Sequence, residues 1–326
     1  MTIGLLCALG AGLMWGLVFV APLMLADYPG IVLSLGRYIS FGGIALVLAF
    51  FDRRRLAALS RADWMVAFKL SLVGNIVYYG LLATAIQLAD VPLPAMLIGT
   101  LPVVISICSN WTIKHDSGRI PWRRLALSLV VIFIGLMLVN AGELAHLDRH
   151  RAIADYACGC IISIGAVAAW TWYPIVNATH LNAHPHIASS TWATAQGLTT
   201  LPLALIGFAL YGAYNGMTHG VFAFPLGDRP GIFAGLALVL GLCASWLGTV
   251  LWNHASQRLP TSLAGQLIVF ETLSALAYAF ILRGTMPALP VAAGALMLCC
   301  GVAAGVRLAQ PGQSEGDDTR QESIKS

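Results

Sequence analysis

Long apolar runs separated by short polar stretches set the pattern of this chain. Ten runs stand out, at 3–25, 30–51, 63–88, 91–112, 122–140, 153–178, 187–211, 231–255, 260–282 and 287–308. About 20 apolar residues in a helix cross the ~30 Å hydrocarbon layer of a bilayer. In lipid the backbone must satisfy its own hydrogen bonds, so each run is read as a helix. The expected fold is an all-α membrane protein of ten transmembrane helices. The stretch from Pro311 onward is polar and is expected to be a disordered tail.

Composition sharpens this reading. Of 326 residues, 58% are hydrophobic and only 10% charged, against roughly 25% charged in soluble domains. A soluble fold of that make-up would lack polar surface to cover itself. The seven cysteines all fall inside apolar runs and show no CxxC spacing, so they read as small buried hydrophobes. His180, His184 and His186 cluster in a short stretch with no acid or thiol near in sequence. No metal and no cofactor are expected. The first run lacks the basic region of a cleaved signal peptide and is read as a retained span.

Basic residues orient the helices. With the N-terminus inside, Arg53, Arg54, Arg55, Arg61, Lys114, Arg119, Arg123, Arg124, Arg258, Arg307, Arg320 and Lys325 all lie inside. Only Arg149, Arg151, Arg229 and Arg283 lie outside, and Arg37 and Lys69 fall within spans. Both termini are therefore expected in the cytoplasm.

An internal repeat is also visible. Shifting the numbering by 155 superposes Gly10 on Gly165, Ala11 on Ala166, Trp15 on Trp170 and Gly42 on Gly197. Shifting by 170 superposes Ala85 on Ala255, Gln87 on Gln257 and Leu93 on Leu263. Two halves of five helices result. An odd number of spans per half inverts the second half, so the arrangement is a 5+5 inverted repeat. That is a common plan of secondary transporters, with the substrate site at the repeat interface.

The segments "LMWGLVFVAPL", "LGRYISFGGIALVL", "ATAIQLADVPLPAMLIGTLPVVIS" and "LWNHASQRLPTSLAGQLIVFETLSAL" resemble the drug/metabolite transporter superfamily, EamA type, over about residues 3–308. Within it the chain looks most like bacterial exporters of aromatic and other amino acids. The resemblance implies a first EamA repeat over 1–140, a periplasmic loop over 141–152, a second repeat over 153–310 and a cytoplasmic tail over 311–326. It also implies a multi-pass protein of the bacterial inner membrane that exports small metabolites. The family often carries Glu-Pro late in the ninth helix. Here Glu271 matches the acid, while Thr272 stands in place of proline.

Charged residues inside a membrane are candidates for function. Lys69 and Arg37 lie near enough to helix ends for their long stems to reach an interface. Glu271 sits near the middle of its run and has no such escape. It serves either as a neutral acid locking two helices or as a coupling or substrate group. Polar and aromatic residues recur at helical spacing on four stripes: Ser163, Ala166, Trp170, Tyr173 and Asn177; Cys243, Trp246, Val250, Asn253 and Gln257; Ser71, Asn75, Tyr78 and Leu82, with Tyr79 adjacent; and Ser262, Gly265, Gln266, Val269 and Thr272. Facing lipid, they would waste hydrogen-bonding capacity. A shared cavity is expected, with Trp15, Asn75, Tyr78, Tyr79, Trp170, Tyr173, Trp246, Asn253 and Gln266 as substrate-binding residues.

Those groups offer flat apolar faces and uncharged hydrogen-bonding atoms. Aromatic rings stack on such faces, and an ammonium binds them by cation–π contact. A neutral amino acid, aromatic ones included, fits best; a lipophilic cation is the alternative, and a channel or sensor the alternative of another class. HExxH, GxSxG and P-loop patterns are absent from the sequence, so neither an enzyme nor ATP drive is expected. The expected partners are a small-molecule substrate and the bilayer, without nucleic acid. The expected assembly is a monomer.

Overall fold

The computed structural model describes residues 1–89, 92–112, 122–144, 153–284 and 286–309. The expected tail over 311–326, most of the expected loop over 141–152, and Lys114 and Arg119 lie outside the described residues. Among the described residues the chain is helical, without a strand. In chain order the helices are α1 (Thr2–Gly16), α2 (Val20–Met24), α3 (Gly30–Ala57), α4 (Arg61–Ser71), α5 (Tyr78–Ala89), α6 (Pro92–Gly99), α7 (Leu101–Thr112), α8 (Trp122–Leu144) and α9 (Ile153–Ala183). They continue with α10 (Ser189–Met217), α11 (Pro230–Leu240), α12 (Gly248–Ser256), α13 (Thr261–Leu267), α14 (Val269–Arg283) and α15 (Leu289–Ala309).

Several of these join end to end. A 3₁₀ turn, Leu17–Phe19, links α1 to α2. π-helical segments link α4 to α5 (Leu72–Val77) and α11 to α12 (Gly241–Leu247). Eight continuous helices are then long and apolar enough to cross a membrane, and Leu101–Thr112 and Leu125–Val139 are shorter apolar helices. The shorter pair falls where sequence reading expects the fourth and fifth spans. α6 and α7 are interrupted at Thr100, whose hydroxyl donates to the Leu97 carbonyl at 2.6 Å. Pro102 lies just beyond, without an N–H to continue the ladder. α8 runs to Leu144, into the segment expected as loop.

α3 packs along α10 and α8 along α15. α1 lies beside α12 and α14, and α9 lies beside α5, α6 and α7. Outward faces carry exposed apolar side chains such as Leu46, Val47, Phe50 and Phe51 on α3 and Leu205, Ile206 and Leu210 on α10. In water such patches would drive association; here they form the surface offered to lipid. Inside, small residues let helices close up. A Cβ at Gly12 would lie 3.0 Å from the Glu271 amide, so α1 crosses directly over the start of α14.

Each end of the bundle is tied differently. The end carrying Arg55, Arg61 and Arg258, called here the basic end, starts α4 with a reciprocal capping box between Ser60 and Asp63. At the opposite end, Arg229 pairs with Asp27. There the Tyr28 hydroxyl donates to the Leu226 carbonyl at 2.9 Å and accepts the Arg229 amide at 2.7 Å.

Candidate functional site

At mid-bundle, α1, α5, α9 and α12 bring aromatic rings together. Trp170 and Tyr173 stack with ring centres 5.1 Å apart, and Tyr78 stacks on Trp170 at 5.0 Å. Trp15 meets Trp170 edge-on at 6.2 Å and tilts against Trp252 at 5.2 Å. Tyr79 faces away from this stack toward Tyr38, at 6.5 Å. Consecutive residues on a helix point about 100° apart, so the two rings part just beyond the π segment Leu72–Val77. Ser71, before it, points at α10, where its hydroxyl donates to the Gln196 carbonyl at 2.9 Å. Asn75, within it, donates to Thr200 Oγ1 at 3.0 Å.

Glu271 stands near the start of α14, within the continuous helix Thr261–Arg283. It is half-buried. Among the described residues its carboxylate makes no hydrogen bond and no close ion pair. It lies within Coulombic reach of Arg37 and of Tyr78. The Arg37 guanidinium sits 4.4 Å from the centre of the Tyr38 ring, and its buried Nε has no hydrogen-bond partner. One cation and one anion, neither neutralised by a close partner, thus flank the aromatic stack. A mostly apolar cleft of about 120 Å³ lies between α3, α5 and α10, lined by Ile31, Leu35, Ile76 and Gly207 with Ser34, Tyr38, Asn75 and Tyr79; neither Arg37 nor Glu271 lines it.

Toward the basic end the interior is dry and hydrogen-bonded. The Tyr173 hydroxyl donates to Gln196 Oε1 at 2.8 Å. Asn177 Oδ1 accepts from Trp192 Nε1 at 2.8 Å and from Gln196 Nε2 at 3.2 Å, and its Nδ2 donates to Asn253 Oδ1 at 2.9 Å. Asn253 Nδ2 reaches the Ser189 carbonyl at 3.2 Å. Asn177, Trp192 and Asn253 are all 0% exposed, so this network seals the basic end against water.

The sequence-derived candidates therefore divide. Trp15, Tyr78, Trp170 and Tyr173 meet in the stack, with Tyr79 and Asn75 at the cleft. Asn253 belongs to the seal, and Trp246 donates from its indole to Thr194 at 3.1 Å. Gln266 is brought to neither: its Oε1 accepts from Ser128 at 2.7 Å at the contact of α13 with α8 and α15. The stripe through Gly265 packs on Ile105 and Ser106 of α7, so it faces helix packing rather than a shared cavity. Lys69 is exposed on the outer surface. Sequence reading missed Arg37 as a partner of the site, along with Tyr38, Trp192, Gln196 and Trp252. Trp192 and Gln196 stand four apart on one face of α10, a spacing that signals a shared role.

Apolar helices of membrane length around a half-buried, oppositely charged and aromatic centre define a multi-pass membrane protein. A model of the EamA-like transporter family matches residues 2–141. Over 304 residues the chain is 43% identical to the inner membrane protein YtfF of Escherichia coli (strain K12), covering 93% of this chain and 95% of that protein. It is 20% identical over 301 residues to the uncharacterized transporter YoaV of Bacillus subtilis (strain 168), covering 89% and 92%. A solved crystal structure shares the fold with a TM-score of 0.73 at 14% identity, over 95% of this chain and 98% of the other. The chain belongs to the EamA-like transporter family, within the drug/metabolite transporter superfamily. That family is one of transporters, not enzymes.

Proposed function

We propose that this protein is a secondary transporter of the bacterial inner membrane that exports neutral amino acids, aromatic ones included, by alternating access. The observation that carries the substrate class is the centre itself: aromatic faces flanked by one free carboxylate and one guanidinium. A zwitterion matches both charges, and a ring or apolar side chain matches the stack. A polyanion fits poorly, since Arg37 is the one guanidinium among the described residues near the stack. A second reading, efflux of lipophilic cations, draws on the unpaired Glu271 carboxylate beside aromatic faces.

Mechanistically, the proposal rests on a 5+5 inverted repeat, with repeats over 1–140 and 153–310 and both termini cytoplasmic. Support comes from the π segments, which superpose when the numbering is shifted by 170. Helix pairings agree with it: α1 beside α12 mirrors α9 beside α5. The basic end then corresponds to the cytoplasmic side, sealed here, while the cleft lies toward the other side.

Purified protein in liposomes, screened for flux of amino acids, cationic dyes and phosphorylated sugars with and without a pH gradient, tests the reading. Trp170→Ala should lower the apparent affinity for aromatic amino acids by about 2- to 13-fold, the worth of one lost stack at about 0.5–1.5 kcal/mol. Alanine or glycine flux should change less. Transport of phosphorylated sugars with none of amino acids would overturn the assignment.

A further inference from the structure

Where α4 begins and α9 ends, at the basic end, three metal-ligating side chains converge from distant parts of the chain. Ligand atoms of Asp63, His180 and His184 all lie within 4.8 Å of one another. The histidine stretch has no acid near it in sequence; the fold supplies one from the start of α4.

Each arm is already held in place. Asp63 Oδ2 accepts the Ser60 amide at 2.8 Å and the Ser60 hydroxyl at 2.7 Å. The cap thereby fixes the carboxylate and leaves Oδ1 facing His180, whose Nε2 is 3.1 Å away. The His180 side chain is only 9% exposed and its ring stacks on Trp192 at 4.5 Å. Its Nε2 is near enough to Asp63 for an ion pair, yet it is buried in a geometry that provides no hydrogen bond. A cation between this nitrogen and the carboxylate oxygen would be ligated by both. His184, one turn further on, sets its Nδ1 3.0 Å from the His180 carbonyl. Because a carbonyl only accepts, Nδ1 carries the proton, and Nε2 keeps a free lone pair. A ring nitrogen tied to a carbonyl is the usual support of a metal-bound imidazole.

Two imidazoles four residues apart share one helix face, and a carboxylate from a second helix completes a set of two nitrogens and one oxygen. Hard cations such as Ca²⁺ and Mg²⁺ prefer all-oxygen sites. Two histidines and a carboxylate suit a four-coordinate Zn²⁺-like ion with one position left to water. We propose that Asp63, His180 and His184 bind a divalent transition-metal cation of the zinc type at the basic end, bridging α4 and α9. On the alternating-access reading above, the bound ion holds these helices together and slows opening at that end. Binding itself does not depend on that reading.

The full chain, purified with a histidine-free tag and stripped with a chelator, is titrated with Zn²⁺ alone and with Co²⁺ as a spectroscopic probe. One Zn²⁺ per chain is expected, with visible Co²⁺ absorption of a four-coordinate nitrogen–oxygen site. Asp63→Asn retains a helix-capping side chain, and His184→Gln alters a half-buried residue. Each should weaken Zn²⁺ binding at least about 10-fold, while melting without metal stays near wild type. Absence of Zn²⁺ binding in the wild type, or binding in both variants equal to it, overturns the site. In liposomes, Zn²⁺ should slow amino-acid flux of the wild type and leave His184→Gln unaffected. Equal Zn²⁺ sensitivity of the two overturns the bridging role. Absence of any amino-acid flux overturns the proposed function instead, since the metal titration is read without transport.

Discussion

Asn177 offers the sharpest test of how the basic end is kept shut. It is 0% exposed and makes three side-chain hydrogen bonds, to Trp192, Gln196 and Asn253. Asn177→Ala removes all three and strands their partners in a dry interior. Hydrogen bonds between membrane helices contribute about 0.6 kcal/mol on average, and those in soluble cores about 1. Three together amount to about 2–3 kcal/mol in favour of the closed arrangement. Because 1.4 kcal/mol is tenfold, the open fraction should rise by about 30- to 140-fold. Ala193, 0% exposed on α10 beside this network, supplies the reporter. As Ala193→Cys in a background without the native cysteines, it should react with a water-soluble maleimide only when this end opens. The alkylation rate should rise by the same factor in Asn177→Ala. A rate within twofold of the parent would refute the seal, as would a double-mutant cycle of Asn177→Ala with Asn253→Ala showing no coupling.

The same geometry sets other outcomes. Gly248→Ala puts a Cβ about 2.8 Å from Trp15 Nε1, an overpacking that costs about 1–3 kcal/mol and should lower the melting temperature. Gly43→Ala, inside α3 with nothing within 4 Å of the added Cβ, should not lower it and should raise it slightly, since alanine favours helix by up to about 1 kcal/mol over glycine. Glu271→Gln removes the charge that matches the substrate ammonium, so it should weaken amino-acid binding and abolish any dependence of flux on the pH gradient. Unaltered pH dependence in that variant would leave Glu271 as a substrate contact or a structural acid.

Length and apolarity made the helices legible. The expected run at 231–255 corresponds to Pro230–Ser256, and that at 3–25 to Thr2–Met24, because crossing lipid leaves few alternatives for an apolar stretch. The π segments were not legible. Nothing in "LVGNIV" or "GLCASWL" distinguishes a wider turn from an ordinary one, yet the extra residue shifts Tyr78 and Tyr79 together relative to Ser71. Stripes drawn at a constant 3.6 residues therefore hold within a segment and slip across the bulge. The stripe through Gln266 failed for another reason. A buried polar face serves a helix contact as well as a cavity, and the choice depends on Ser128, far away in sequence. Asp63 and His180 meet only because the start of α4 and the end of α9 lie side by side, which no local pattern encodes.

On the inverted repeat proposed above, the two ends are expected to differ. Shifted by 155, Arg37 superposes on Trp192; shifted by 170, Leu101 superposes on Glu271. Each half thus carries one charged member of the centre and, at the equivalent place in the other half, a large apolar residue. Trp192 is 0% exposed and Leu101 4% exposed, whereas Arg37 and Glu271 are half-buried. A charge inside a membrane protein is costly unless it meets water or a partner, which accounts for the partial exposure of Arg37 and Glu271. The indole at the matching place has no such demand and packs into a dry seal, its N–H satisfied by Asn177. The aromatic layer obeys the same rule. Trp15 lies against Gly248, while the matching Trp170 lies against Tyr78, the residue that superposes on Gly248 at the shift of 170. Trp15 is 9% exposed against that glycine, and Trp170 is half-buried between Tyr78 and Tyr173. On that reading, matching positions carry different side chains, and those side chains set how far each part of the centre is buried.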